Sequence, residues 1–155
     1  MSRRHDSLLP LTHDHHHALA KVRRLKAAAV GSPEERHAQG DEFIHFFDSE
    51  TITHFREEEE VVFPLVIGES EAEPVLARSM MEHLAIHALV HELRAQLSVG
   101  DPTPESLSAI AVSLEAHIRY EEKTLFPLIE RLVFSELADV TLAPRDRVDA
   151  APVAG

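Results

Sequence analysis

Two stretches of the chain share one layout. HFREEEEVVFP runs from His54 to Pro64, and HIRYEEKTLFP follows 63 residues later, from His117 to Pro127. Each places a His, then acids at the fourth and fifth positions after it, then Phe-Pro at the ninth and tenth. Imidazole and carboxylate are the donors of non-thiolate transition-metal sites. On a helix, residues four apart lie on one face, about 5–6 Å from each other. His54 with Glu58, and His117 with Glu121, are therefore pairs that could grip a metal ion from two different helices.

The apolar pattern decides which way these pairs face. One stripe runs Phe47, Thr51, His54, Glu58, Val61, Leu65; another runs Leu107, Ile110, Leu114, His117, Glu121, Leu125, Leu128. In EHLAIH the stripe is Leu76, Met80, His83, Val90, Leu97, with His87 nearer its margin. In DHHHAL the line Leu8, Leu11, His15, Leu19, Val22 turns His15 inward. A buried carboxylate without a partner costs several kcal/mol or takes up a proton. No Lys or Arg lies inward at that level, so a metal ion resolves the conflict. A lone inward His is more often a core residue with a satisfied hydrogen bond, but one in every helix, beside two matched acids, points to metal. The remaining histidines read as solvated, and so does most of the acidic run 57–60. The two Phe-Pro pairs read as structural, with proline bending the helix and phenylalanine packing at the bundle end.

The elements that must position these residues are punctuated clearly. Gly31, Gly68 and Gly100 each follow an apolar-periodic run, where helices end. Ser32-Pro33-Glu34-Glu35, Ser70-Glu71-Ala72-Glu73 and Thr103-Pro104 are start signals, and Thr12 can cap the first helix. The spacing predicts helices over 12–30, 33–67, 71–99 and 104–137, with no strand signals. Short connections make neighbouring helices antiparallel. The expected fold is an all-α, up-down-up-down four-helix bundle over residues 1–138, followed by a flexible or extended tail over 139–155.

A chain of 155 residues is one domain by length. Its formal charge of −12 disfavours a nucleic-acid partner or an anionic membrane surface. No apolar run approaches the ~20 residues of a membrane span, and the N-terminal arginines are not followed by the apolar segment of a signal peptide. With no cysteine, thiolate sites and disulfides are absent, which fits a cytoplasmic location. There is no H-E-x-x-H, which disfavours a zinc protease.

With these residues in place, about 8–134 of the chain resembles the hemerythrin-like, or HHE cation-binding, family. The most specific parts are the two H-x3-E-E-x4-F-P stretches, supported by DHHHAL and EHLAIH. The resemblance implies a four-helix bundle around two iron ions, a non-haem centre bridged by oxide or hydroxide. It implies as ligands His15; His54 with Glu58; His83 and His87; and His117 with Glu121, the two carboxylates bridging. Respiratory members place their last carboxylate five residues after its His and use Asp. Here Glu121 stands at the fourth position and Glu122 at the fifth, and the stripe favours Glu121. Many HHE members have one His in the third helix, which bears on His87.

Two octahedral irons offer about twelve positions. Five imidazoles, four carboxylate oxygens and a bridging oxide leave one open, suited to dioxygen as a terminal ligand. Without His87 a second opens, easing peroxide chemistry. The expected function is dioxygen binding for sensing, storage or delivery. The alternatives are an enzyme acting on peroxide or another small oxidant, and an iron or redox sensor acting through protein contacts. Glu58→Ala and Glu121→Ala should damage the site, whereas Glu59→Ala and Glu122→Ala should be nearly silent.

Overall fold

The computed structural model describes residues 3–145. Among them the regular structure is helical, with no strand, and four rods make a bundle. The first rod begins as a 3-10 turn, Asp6–Leu8, and continues as α1, Leu9–Ala29. It starts before Thr12, the expected cap. Pro10 sits in its first turn, where a missing N–H leaves nothing unpaired, and the Thr12 hydroxyl donates instead to Glu122 Oε2 at 2.8 Å.

The second rod is wound in alternating pitches. It consists of α2 (Pro33–Phe46), a π turn (Phe47–Thr51), α3 (Ile52–Glu57), a second π turn (Glu58–Val62) and a 3-10 end (Phe63–Val66). Ser32 caps it, its hydroxyl accepting from the Glu35 N–H at 3.1 Å. The third rod is α4, Glu73–Val99. Its cap position is the buried Ala72 rather than Ser70, because the connection adds a turn in which the Ala72 N–H donates to the Glu69 carbonyl at 2.9 Å. The fourth rod joins α5 (Pro104–Tyr120), a π turn (Glu121–Leu125) and α6 (Phe126–Leu137). Thr103 caps it as expected, accepting from Ser106 N–H at 3.1 Å.

The wide turns explain a discrepancy in the apolar stripe. In each Phe-Pro motif the phenylalanine N–H reaches back five residues, from Phe63 to the Glu58 carbonyl and from Phe126 to that of Glu121. The next residue is proline, which has no N–H and whose ring would strike the carbonyl four residues back. Widening the turn relieves both problems, so the expected bend is a π turn instead. The extra residue per turn moves the inward line of the second rod from Val61 and Leu65 to Val62 and Val66. Val62 and Val66 are 0% exposed and Val61 is 39% exposed.

The core is split into two apolar layers. One gathers Phe43, Phe47, Ile86, Leu93, Leu107 and Ile110; the other gathers Leu8, Leu11, Val62, Phe63, Leu125 and Ile129. Rods one and three run from the second layer to the first, and rods two and four run the opposite way. α1 packs on α2 and α5, and α4 packs on α5 and α2. This is the expected up-down-up-down bundle, with a polar layer between the two apolar ones. After α6 an arm without regular structure continues to Arg145, its Val140 and Leu142 half-buried against the second layer. The rest of the expected tail, 146–155, lies outside the described residues. No described helix is long and apolar enough to cross a membrane.

Candidate metal centre

The polar layer is built from six side chains, all buried: His15, His54, Glu58, His83, His117 and Glu121. α1 supplies His15 and α3 supplies His54. α4 contributes His83 and α5 His117, while the two glutamates open the π turns that follow α3 and α5. Their donor atoms form two sets: His15, His54, Glu58 and Glu121, and His83, His117, Glu58 and Glu121. Within each set the atoms lie within 4.8 Å of one another. Each set can hold one metal ion, and both carboxylates belong to both sets.

All four imidazoles present the same edge to the middle. His15 Nε2 lies 3.0 Å from Glu121 Oε1, His54 Nε2 lies 3.2 Å from Glu58 Oε2, and His83 Nε2 lies 3.1 Å from Glu58 Oε1. His117 Nε2 lies 3.2 Å from Glu121 Oε2. These short approaches are mostly poor hydrogen bonds. Nε2 of His54, His83 and His117 and both oxygens of Glu58 are buried with no hydrogen-bond partner among the described residues. Native interiors rarely leave polar atoms this way. Five such atoms converging on one small volume have the donor chemistry of a cation site, so these residues fit a metal centre.

A second ring of acids holds the outer edges of the same imidazoles. His15 Nδ1 donates to Glu122 at 2.6 Å, His54 Nδ1 to Asp14 at 2.8 Å, His83 Nδ1 to Glu59 at 2.7 Å and His117 Nδ1 to Glu82 at 2.8 Å. A carboxylate on Nδ1 fixes the ring and makes Nε2 the metal-facing nitrogen. Glu59 was expected on a solvated face, and substitution of Glu59 or Glu122 was expected to be nearly silent. They are half-buried orienting groups instead, because the fifth position of each motif faces sideways toward a neighbouring rod. The signal for them was the doubled acid itself, present in both copies.

The two halves of the chain thus repeat one device. An acid-His pair on rods one and three (Asp14-His15, Glu82-His83) meets an H-x3-E-E-x4-F-P motif on rods two and four. The motif phenylalanines join in: Phe126 stacks on His15 at 5.4 Å and Phe63 on His83 at 6.1 Å between centroids. They pack on the site rather than merely filling a bundle end. Symmetry breaks at Ser79, which donates to Glu121 Oε2 at 2.7 Å. Ser79 is 0% exposed, while Met80, expected inward, is 37% exposed. Leu11 stands in the matching place on α1.

His87 does not join the others. It is exposed, one turn beyond His83, with its ring edge-on to Phe47 and Phe55 at 5.5 and 5.8 Å. Its step of four from His83 carries it off the stripe, where Ile86 is buried instead. Tyr120 is half-buried beneath the Arg78 guanidinium, 3.9 Å from its ring centroid.

Imidazoles and carboxylates of the layer hold each other's charge. Burial alone would lower the His54 imidazole, but the Glu58 charge, the hydrogen bond to Asp14 and the close approach of Glu58 hold it up at about 10. Burial likewise opposes protonation at His117 and His83. The charge and close approach of Glu121 raise the first to about 10, and the nearby carboxylates of Glu121 and Glu58 raise the second to about 9. Burial works to raise Glu121, yet the His117 charge, the hydrogen bond of His15 and the nearby His83 ring keep it well below its ordinary value. Beside the imidazoles a cavity encloses about 20 Å³ open to a water-sized molecule, room for roughly one. His15, His54 and His117 border it with Thr51, Leu114 and Ile118.

No curated protein and no solved structure matches the chain. A sequence model of one domain does match, the hemerythrin HHE cation-binding domain, over residues 7–129. That span holds the four buried imidazoles, both shared carboxylates and their orienting acids, and the chain belongs to the hemerythrin HHE cation-binding family.

Proposed function

We propose that the chain is a non-haem di-iron protein that binds dioxygen, with His15 and His54 on one iron, His83 and His117 on the other, and Glu58 and Glu121 bridging. The observation that carries this reading is the convergence of unpartnered buried donors into two sets that share both carboxylates. Imidazole-carboxylate sets accept several metals, and the family resemblance supplies the preference for iron. Bound there, iron would supply the electrons that dioxygen accepts reversibly.

The chain's own residues favour a small apolar ligand. Leu114 and Ile118 line the cavity at the imidazoles, with the Thr51 hydroxyl as its neutral polar group. Phe55 stacks on His83 at 3.8 Å and closes one flank against water. Two acids also border this space: Asp14, which orients His54, and Glu50, which accepts from His17 at 2.9 Å.

A second reading, turnover of peroxide, is favoured by the position of His87. Four imidazoles, four carboxylate oxygens and a bridging oxide fill about ten of the roughly twelve positions of two octahedral ions. One position is then open on each metal instead of one in total. Elemental analysis of untagged, iron-replete protein tests the centre, with about two irons per chain expected. Exposure of the reduced protein to dioxygen and then to peroxide separates the readings. A stable oxygenated spectrum that reverses under argon supports dioxygen binding. Sustained oxygen evolution from peroxide transfers the conclusion to the enzyme.

A further inference from the structure

The outer acids of the two halves are held by different means. On the His83–His117 side, Arg78 stands four residues before Glu82 on α4 and donates to it at 3.1 Å. The same guanidinium lies over Tyr120. On the other side, the place four residues before Asp14 is taken by Pro10, in the first turn of α1. Proline offers no cation at that place.

The C-terminal arm supplies one. Arg145 Nη2 lies 2.9 Å from Asp14 Oδ2, and its Nε lies 3.2 Å from Oδ1. Nη2 also lies 2.7 Å from Glu57 Oε1. Glu57 occupies the motif position that Tyr120 holds in the second copy, so carboxylate replaces ring beneath the guanidinium. Two further hydrogen bonds shape the arm: Ala143 N–H donates to Glu57 Oε2 at 3.1 Å, and Arg145 Nη1 donates to the Ala143 carbonyl at 2.7 Å. The Arg145 side chain is 17% exposed against 58% for Arg78. Beneath the arm a cavity of about 210 Å³ reaches His54, bordered by Asp14, Thr53, Glu57, Pro144 and Arg145.

We infer that Arg145 is a positioning residue for one metal position only: by fixing Asp14 on His54 it sets how firmly the His15–His54 position holds its ion. The inference rests on the dinuclear reading above. The His83–His117 position takes its cation from its own helix and is independent of the arm. Two chemically similar positions thereby become unequal in how readily they exchange metal.

The test uses the full chain loaded with two ferrous ions under argon and challenged with excess ferrous chelator. Arg145→Ala is expected to speed loss of one ion about tenfold, the lower end of what removing an orienting partner does, and to leave the other at its original rate. Arg145→Lys, which keeps the charge but not the fork, falls between. Arg78→Ala speeds the other ion instead. Unchanged rates in Arg145→Ala, or both ions accelerating equally, overturn the inference.

A second measurement needs no metal. In metal-free protein with labelled imidazole nitrogens, Arg145→Ala should speed solvent exchange of the His54 Nδ1 proton and spare those of His83 and His117. Unaltered exchange at His54 overturns the positioning role. Wild-type protein that takes up no iron at all would instead remove the dinuclear reading, leaving this exchange measurement to decide what Arg145 does.

Discussion

Glu122 and His15 are 107 residues apart in the chain, yet the imidazole donates to the carboxylate at 2.6 Å. The same relationship recurs between Glu59 and His83 at 2.7 Å. Each half of the chain lends its second motif acid to a histidine of the other half. Glu122 is further held by Thr12 at 2.8 Å and Arg4 at 3.1 Å.

Glu59→Ala and Glu122→Ala should therefore weaken metal binding by about 10–100-fold each, the usual cost of removing a carboxylate behind a ligating imidazole. Glu→Gln at either site should be milder, since the amide oxygen still accepts from Nδ1. Competition against a coloured chelator measures this directly. Wild-type affinity in both alanine variants would reduce these acids to surface groups.

His87→Ala should retain two irons per chain, because that ring lies outside both donor sets. Glu58→Ala and Glu121→Ala each remove a carboxylate shared by the two sets and should leave fewer than two. Elemental analysis of the three variants, prepared side by side, decides the ligand set.

The pH response should differ between metal-free and loaded protein. Folding raises His54 and His117 to about 10 and His83 to about 9, from an ordinary 6.5. Groups raised on folding contribute stability that is complete below 6.5 and is lost as pH rises through 9 to 10. Glu121 is lowered from 4.5, so its contribution holds above 4.5 and is lost as pH falls through its folded value. The metal-free protein should melt highest between about pH 4.5 and 6.5. Metal uptake must displace the imidazole protons, so loading near pH 7 should release protons and tighten with rising pH. Titration calorimetry in buffers of different ionisation enthalpy counts the protons.

Ser79→Ala should destabilise the metal-free protein by about 1.5–3 kcal/mol, the range for losing a hydrogen bond to a charged group. The hydroxyl is fully buried, and its acceptor is Glu121. Urea unfolding with chelator present reads the change. A shift within error would mean that the Ser79 hydroxyl contributes nothing to holding Glu121.

Much of the centre could be read from one helix at a time. His15, His54, Glu58, His83, His117 and Glu121 lie on apolar stripes of period 3.6, so their inward direction followed from their own neighbours. Glu59 and Glu122 did not follow, because their partners stand on other rods and no single-helix pattern encodes a sideways contact. Val62 escaped because the π turn at Glu58–Val62 shifts the period by one residue just past the glutamate. Ser79 was passed over for Met80 since hydropathy scores a hydroxyl as outward, whereas a buried carboxylate makes it welcome inside. Arg145 lies beyond the last helix, and nothing in its local sequence points back to Asp14.

The crossed lending of acids has a consequence for how the chain is made. Synthesis from the N-terminus completes the first two rods before the last two exist. Until α4 emerges, Glu59 has no imidazole to receive, and His15 has no Glu122 behind it. The nascent first half is an acid-rich hairpin with half a centre and no means of finishing it. Glu59 can brace His83 once the third rod is released, but Glu121 belongs to both donor sets, so neither set is complete before the fourth rod.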